Sequence, residues 1–189
     1  MFEALIGDYS ALPRRYLPED YLADQTGLQV VGIVWHEFMS SDPVREVRWA
    51  QRMAETTRFS ISIVGLVDFL ASDLEERLDA YAQCRNVAGV REHLGWDDEN
   101  PLRRFAKRSD LLTDSHWLHG LRLLARYRFK CSLEVFSSQL PDLLNAVRAN
   151  PDIGFTIAVM GWPRRPTSLN SPAGNRVLST LAHAETCES

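Results

Sequence analysis

Short apolar runs recur along the chain, each rich in β-branched residues and each separated from the next by a segment with helical spacing. The runs are 30–35 (VVGIVW), 59–64 (FSISIV), 86–90 (NVAGV), 130–136 (KCSLEVF) and 155–159 (FTIAV). Several are nearly continuous in apolar residues, as strands covered on both faces require. Between them, Asp42-Pro43 places an N-cap and a first-turn proline ahead of Val44, Val47 and Met53 or Ala54. Ser72 or Asp73 opens a second helix with Leu74, Leu78 and Tyr81 at spacings of four and three. Thr113-Asp114-Ser115 precedes Trp117, Leu121, Leu124 and Ala125, and Pro141-Asp142 precedes Leu143, Leu144 and Val147. Strands alternating with helices predict an α/β domain over residues 1–163 with right-handed connections. After Pro163 the pattern dissolves, and 164–189 is expected to be a loop and a weakly structured tail.

Composition narrows the function classes. With 21 Lys+Arg against 25 Asp+Glu the formal net charge is −4, and hydrophobic residues make up 45%. The chain has the apolar content of a folded domain, and its sequence pI of about 5.7 offers no electrostatic footprint for nucleic acid. No apolar run approaches the roughly 20 residues needed to cross a bilayer, so no membrane partner is expected. Cys84, Cys131 and Cys187 are widely and irregularly spaced, which fits a reduced, cytoplasmic setting.

Phosphate-binding signatures are missing: no GxGxxG or GxxxxGK[ST] follows any run. A GxSxG elbow is missing too. What remains is a set of polar residues at the C-terminal ends of the strands, where parallel α/β proteins place their binding groups. His36 and Glu37 follow the first run, Asp68 the second, Arg91 and His93 the third, Glu134 and Gln139 the fourth. Imidazole and carboxylate groups on one rim suit acid–base chemistry or a metal, but no HxH or HExxH pair fixes two ligands on one element. His36-Glu37 reads equally well as a solvent-facing strand end. Arg91 presents a planar fork suited to a carboxylate ligand; an internal ion pair with Glu37 or Glu134 is the competing assignment. The basic residues Arg103, Arg104, Lys107 and Arg108 read as ion-paired surface, and Trp96, Trp117 and Trp162 as packing anchors.

Several longer phrases narrow the fold further. DYSAL (8–12), YLPEDY (16–21), GVREHLGW (89–96), LLTD (111–114) and LEVFSSQLPD (133–142) occur in order and together resemble the amidohydrolase-related TIM-barrel hydrolases. The similarity is to the branch with sugar-lactone and 2-pyrone-4,6-dicarboxylate lactonases. It implies a partial (β/α)8 barrel whose five parallel strands correspond to barrel strands two to six. It also implies hydrolysis of a lactone or related acyl bond by an activated water, on a small anionic lactone or carboxylate. By the same resemblance Glu37, Arg91, His93 and Gln139 match rim positions and are expected to bind substrate. A divalent metal is used by some members of that family, but its ligands have no counterpart here. The HxH of the first strand and the Asp of the eighth are absent, and Ala158 and Val159 stand at the sixth-strand Asp and His positions. The resemblance therefore implies a truncated barrel, either a hydrolase or an inactive, self-associating module. Its two unpaired strand edges are expected to favour a homo-oligomer or a complementing fragment.

Overall fold

In a computed structural model of the chain, residue 8 and residues 10–162 are described, Met160 by its backbone only. The expected tail 164–189, with Cys187, lies outside the described residues. Five strands form one sheet: β1 (Gly32–His36), β2 (Ser60–Leu66), β3 (Val87–His93), β4 (Lys130–Glu134) and β5 (Phe155–Ile157). Helices α1 (Pro18–Asp24), α2 (Pro43–Thr56), α3 (Leu74–Ala82), α4 (Ser115–Arg122), α5 (Leu124–Tyr127) and α6 (Leu140–Arg148) stand before and between them.

Every neighbouring pair is parallel, and the spatial order is β1-β2-β3-β4-β5. A doubly wound sheet reverses its strand order at a switch point; this one never does, so it curls in one sense into part of a barrel. Alternation along the strands then divides the residues between two faces. Trp35, Ile61, Ile63, Val90, Cys131 and Leu133 pack outward under the helices in one core with Val47, Leu78, Trp117 and Leu143. The concave face carries Val34, His36, Ser62, Val64, Arg91, His93, Ser132 and Glu134. It is the more polar of the two.

The helix starts follow local chemistry. The Asp42 carboxylate accepts from Arg45 N, and Asp114 accepts from His116 N and Trp117 N, so both act as N-caps. Asp73 occupies the N-cap position of α3 but makes no capping bond; its carboxylate pairs instead with Arg77 at 3.0 Å. The segment expected as one helix from Trp117 to Ala125 is broken between Arg122 and Leu124, and Ala125 faces solvent. Leu124 still reaches the core, fully buried. No helix among the described residues is long and apolar enough to cross a membrane.

One close approach sets the position of α4. A methyl group on Gly120 would stand 2.2 Å from the carbonyl oxygen of Phe69, so the helix rests directly on the backbone that follows β2. Gly120→Ala is expected to destabilise the fold by about 2–3 kcal/mol through overpacking against main chain that cannot rotate away. Urea denaturation measures this, and an unchanged midpoint would show that the helix can lift off without loss.

Candidate functional site

The C-terminal ends of β1, β3 and β4 bring four ionisable side chains into one cluster. Register explains why. His93 lies directly opposite Glu134 across the β3–β4 ladder, and Arg91 lies opposite Ser132 two residues earlier on the same face. Arg91 and His93 were expected just beyond a strand ending at Val90. They are instead its last part, because pairing with β4 extends β3 to His93.

His93 is held at both nitrogens. Nδ1 lies 2.7 Å from Glu134 Oε2, and Nε2 lies 2.7 Å from Glu37 Oε1. Arg91 Nη2 donates to Glu134 Oε2 at 2.7 Å, while its Nε stands 3.7 Å from Glu37 Oε1 and makes no hydrogen bond. Two cations thus face two carboxylates, and all four side chains are largely buried, Glu37 and Glu134 at 1% and 3% side-chain exposure. Burial alone would push the His93 imidazole down. Its hydrogen bonds to Glu134 and Glu37 outweigh that and hold it up at about 9, so it carries a proton at neutral pH. Burial alone would raise both carboxyls. Hydrogen bonding to His93 leads the opposing effects, and both end below the usual carboxylate range.

Loops complete the cluster from two sides. The chain leaves β1 through Met39 in the left-handed region at φ 52°, and Met39 N donates to Glu37 Oε2 at 2.7 Å. After β5, Val159 at φ 50° and Trp162 at φ 42° turn the chain back, and Trp162 Nε1 donates to Glu134 Oε1 at 2.9 Å. A β-branched residue in that region is strained; here the turn delivers an indole N–H to a buried carboxylate. Trp162 reads from sequence as a packing anchor, and only the turn reveals its polar role.

Gln139 does not join the cluster. Its Oε1 accepts from Trp96 N and Phe136 N, and its Nε2 donates to Leu94 O, so the amide ties the loop after β3 to the loop after β4. His36 stands exposed at the end of β1, next to Glu37. Partial burial of its ring, then the Arg91 charge, lowers its pKa, so it is neutral where His93 is charged. Asp68 pairs with Lys107, Arg108 with Asp110 and Asp114, and Arg104 lies 4.8 Å over the Trp96 ring. The long segment between β3 and α4 is thus held by its own contacts. Trp117 is fully buried, and His116 is solvent-exposed.

The cluster does not fit a divalent metal. Both His93 nitrogens are occupied by carboxylates, and no group of three His, Cys, Asp or Glu side chains is arranged as a metal site among the described residues.

Comparison with known proteins agrees at the level of fold. No protein-family model matches the chain. The uncharacterized protein y4mH of Sinorhizobium fredii is 29% identical over 149 residues, which are 78% of this chain and 50% of that protein. The chain therefore spans about half the length of this curated relative. Among solved structures, an amidohydrolase from Burkholderia multivorans with bound zinc superposes with a TM-score of 0.70 at 21% identity, over 90% of this chain and 57% of that one. Amidohydrolase 2 from Bifidobacterium longum subsp. infantis gives 0.61 at 18% identity, over 95% and 62%. A probable 2-pyrone-4,6-dicarboxylic acid hydrolase from Acinetobacter baumannii, with citric acid bound, gives 0.57 at 17%, over 87% and 58%. The resemblance read from the sequence phrases thus holds in three dimensions, and the chain has the fold of an amidohydrolase-type (β/α) barrel over five of its strands.

Proposed function

We propose that the chain forms the anion-binding side of a hydrolase site that opens a lactone or related acyl bond with water. The observation that carries this reading is the Arg91–His93–Glu37–Glu134 cluster, set at the C-terminal rim of a barrel-type sheet on its concave face. Arg91 keeps Nε without a hydrogen-bond partner while Nη2 is bound to Glu134. An incoming carboxylate that engaged both nitrogens would use the guanidinium fork fully, which Glu134 alone does not. His93, already protonated, adds positive charge to that position and is no base. His36, neutral and within range of the Arg91 charge, is the imidazole left to take a proton from water. Water adds to the acyl carbon as its proton passes to His36, the ring C–O bond breaks, the departing alkoxide takes that proton back from His36, and the hydroxy acid, its new carboxyl ionised to solvent, leaves from beside Arg91. Gln139 acts indirectly by fixing the two loops that border the rim.

Citrate titrated calorimetrically into the wild-type chain tests the anion site. Binding in the millimolar range is expected, weakened about tenfold or more in Arg91→Lys, a loss of roughly 1.4 kcal/mol, because lysine keeps the charge and loses the fork. Acid release from a panel of sugar lactones tests turnover, which His36→Asn should abolish while citrate still binds. Wild-type protein that neither binds citrate nor hydrolyses any lactone would overturn the reading.

A further inference from the structure

Each carboxylate of the rim cluster is held by a loop at the oxygen it does not give to His93. Glu37 turns Oε1 to His93 and accepts from Met39 N on Oε2. Glu134 turns Oε2 to His93 and Arg91 and accepts from Trp162 Nε1 on Oε1 at 2.9 Å. All four carboxylate oxygens thus face a donor. The Met39 donor is main chain. Among the described residues, Trp162 supplies the one side-chain donor that comes from outside the cluster.

The chain takes an uncommon path to bring that indole in. Val159, Gly161 and Trp162 have φ 50°, 72° and 42°. Glycine adopts this region freely, but a β-branched valine and a tryptophan do not. Such geometry persists only where the surroundings over-determine it. Here Trp162 N donates to Val159 O at 3.0 Å, and a methyl group on Gly161 would meet the Leu140 side chain of α6 at 3.6 Å. The indole on Glu134 is the side-chain hydrogen bond that this turn makes.

What that bond controls follows from the shape of a guanidinium. A carboxylate free to use both oxygens takes an arginine at two points, with two parallel N–H···O bonds, and that contact is stronger than a single one. Glu134 does not do this. It reaches Arg91 Nη2 at 2.7 Å with Oε2 alone, and Nε is left without a hydrogen bond, 3.7 Å from Glu37 Oε1. Oε1, the atom that would complete the pair, is the one Trp162 holds. Glu37 is restrained likewise, by Met39 N on Oε2 and by His93 on Oε1.

We propose that Trp162 is a positioning residue: by holding Glu134 to a one-point contact, it keeps the Arg91 fork open for an external carboxylate. This deepens the anion-site reading and rests on it for its consequence. Without the indole N–H, Glu134 Oε1 is a buried acceptor with no donor, and Arg91 Nε, on the guanidinium that already binds Oε2, is a buried donor with no acceptor. Leaving both unpaired is costly, so the carboxylate turns to join them. The fork is then filled from within, and an incoming anion meets a closed ion pair.

Trp162→Phe keeps an aromatic ring and removes the N–H. By proton–nitrogen NMR the Arg91 Nε proton, assigned by its loss in Arg91→Lys, is expected to move downfield in ligand-free Trp162→Phe, toward its position in the wild-type chain with citrate bound. By calorimetry, citrate affinity should fall about tenfold or more in Trp162→Phe, and by less than about twofold when the same substitution is made in Glu134→Gln, whose amide cannot close the fork. The NMR measurement needs no second substitution, so it stands even where Glu134→Gln fails to fold. A packing role for the ring predicts equal losses in both backgrounds and an Arg91 proton that stays in place. That result overturns the proposal, as does a Trp162→Phe chain with wild-type affinity. If the wild-type chain binds no citrate, the anion reading falls; a downfield Arg91 proton in Trp162→Phe then still supports the restraint on Glu134, and an unmoved one overturns it.

Discussion

Replacing His93 with alanine is expected to destabilise the chain by about 3–5 kcal/mol, the cost of removing one partner from a buried charge network. The loss leaves Glu37 and Glu134 buried with Arg91 as their remaining cation, and Arg91 Nε already stands 3.7 Å from Glu37 with no hydrogen bond. For a chain of this size that is a fall in Tm of roughly 6–20 °C. The pH dependence identifies the mechanism. His93 binds its proton more tightly in the fold than in the unfolded chain, with a folded pKa of about 9. Its contribution is therefore complete below the ordinary histidine value of about 6.5 and is lost as pH rises toward 9. Glu37 and Glu134 act in the opposite sense: their lowered folded values contribute above the ordinary carboxylate range, and that contribution is lost as pH falls through them. Urea midpoints at pH 5.5, 7 and 9 should show the difference between wild type and His93→Ala shrinking at the alkaline end. A constant difference would mean that the ring is held for its packing and not for its charge.

Trp117→Ala is expected to cost about 4–5 kcal/mol, at the upper end for a large aromatic removed from a core. Trp117 is fully buried, packs edge-on against Phe69 at 5.3 Å, and donates from Nε1 to Glu92 Oε2 at 2.7 Å. Glu92 gives this prediction a second, independent readout. Burial pushes its carboxyl up to about 8, against the lowering effect of the Trp117 hydrogen bond. A carboxyl whose folded pKa lies above its unfolded value favours folding when protonated, so stability declines from about pH 4.5 to about 8 and is level beyond. Glu92→Gln keeps an oxygen acceptor for the indole and removes the titration. It should flatten that decline while leaving the acid-side stability near wild type. If the slope between pH 5 and 8 is unchanged in Glu92→Gln, the decline belongs to another group.

The two predictions meet at adjacent residues of β3, His93 and the Glu92 that holds Trp117, and these show how far the sequence could be read. The run from Asn86 to Val90 marks a strand, and its period of two puts Arg91 and His93 on the face opposite Glu92. That period does not say where the strand stops. Pairing with β4 as far as Glu134 decided it, and the same pairing made the two strand-end candidates Arg91 and His93 neighbours of a carboxylate forty-three and forty-one positions away. The choice between ligand contact and internal ion pair for Arg91 depended on that distance, and no local pattern encodes it. Gln139 reads from the chain as a rim residue, yet three backbone groups supplied by loops 43 and 45 residues distant and by its own turn take up its amide. Trp162 could not be assigned its polar role before two non-glycine residues were seen in the left-handed region.

By itself the sequence determined the alternation of strands and helices, the N-cap at Asp42, the helix start at Thr113-Asp114-Ser115, and the barrel resemblance carried by its longer phrases. These are local matters: periodicity, side-chain capping and short contiguous motifs act over a few residues, and the chain cannot hide them. Tertiary structure alone decided three others. It wound the sheet in one direction instead of two, closed Glu37, Arg91, His93 and Glu134 into a neutral cluster, and, among the described residues, left β1 paired on one side only. Each depends on which strands become neighbours and on what water is excluded between them, and that is a property of the assembled sheet.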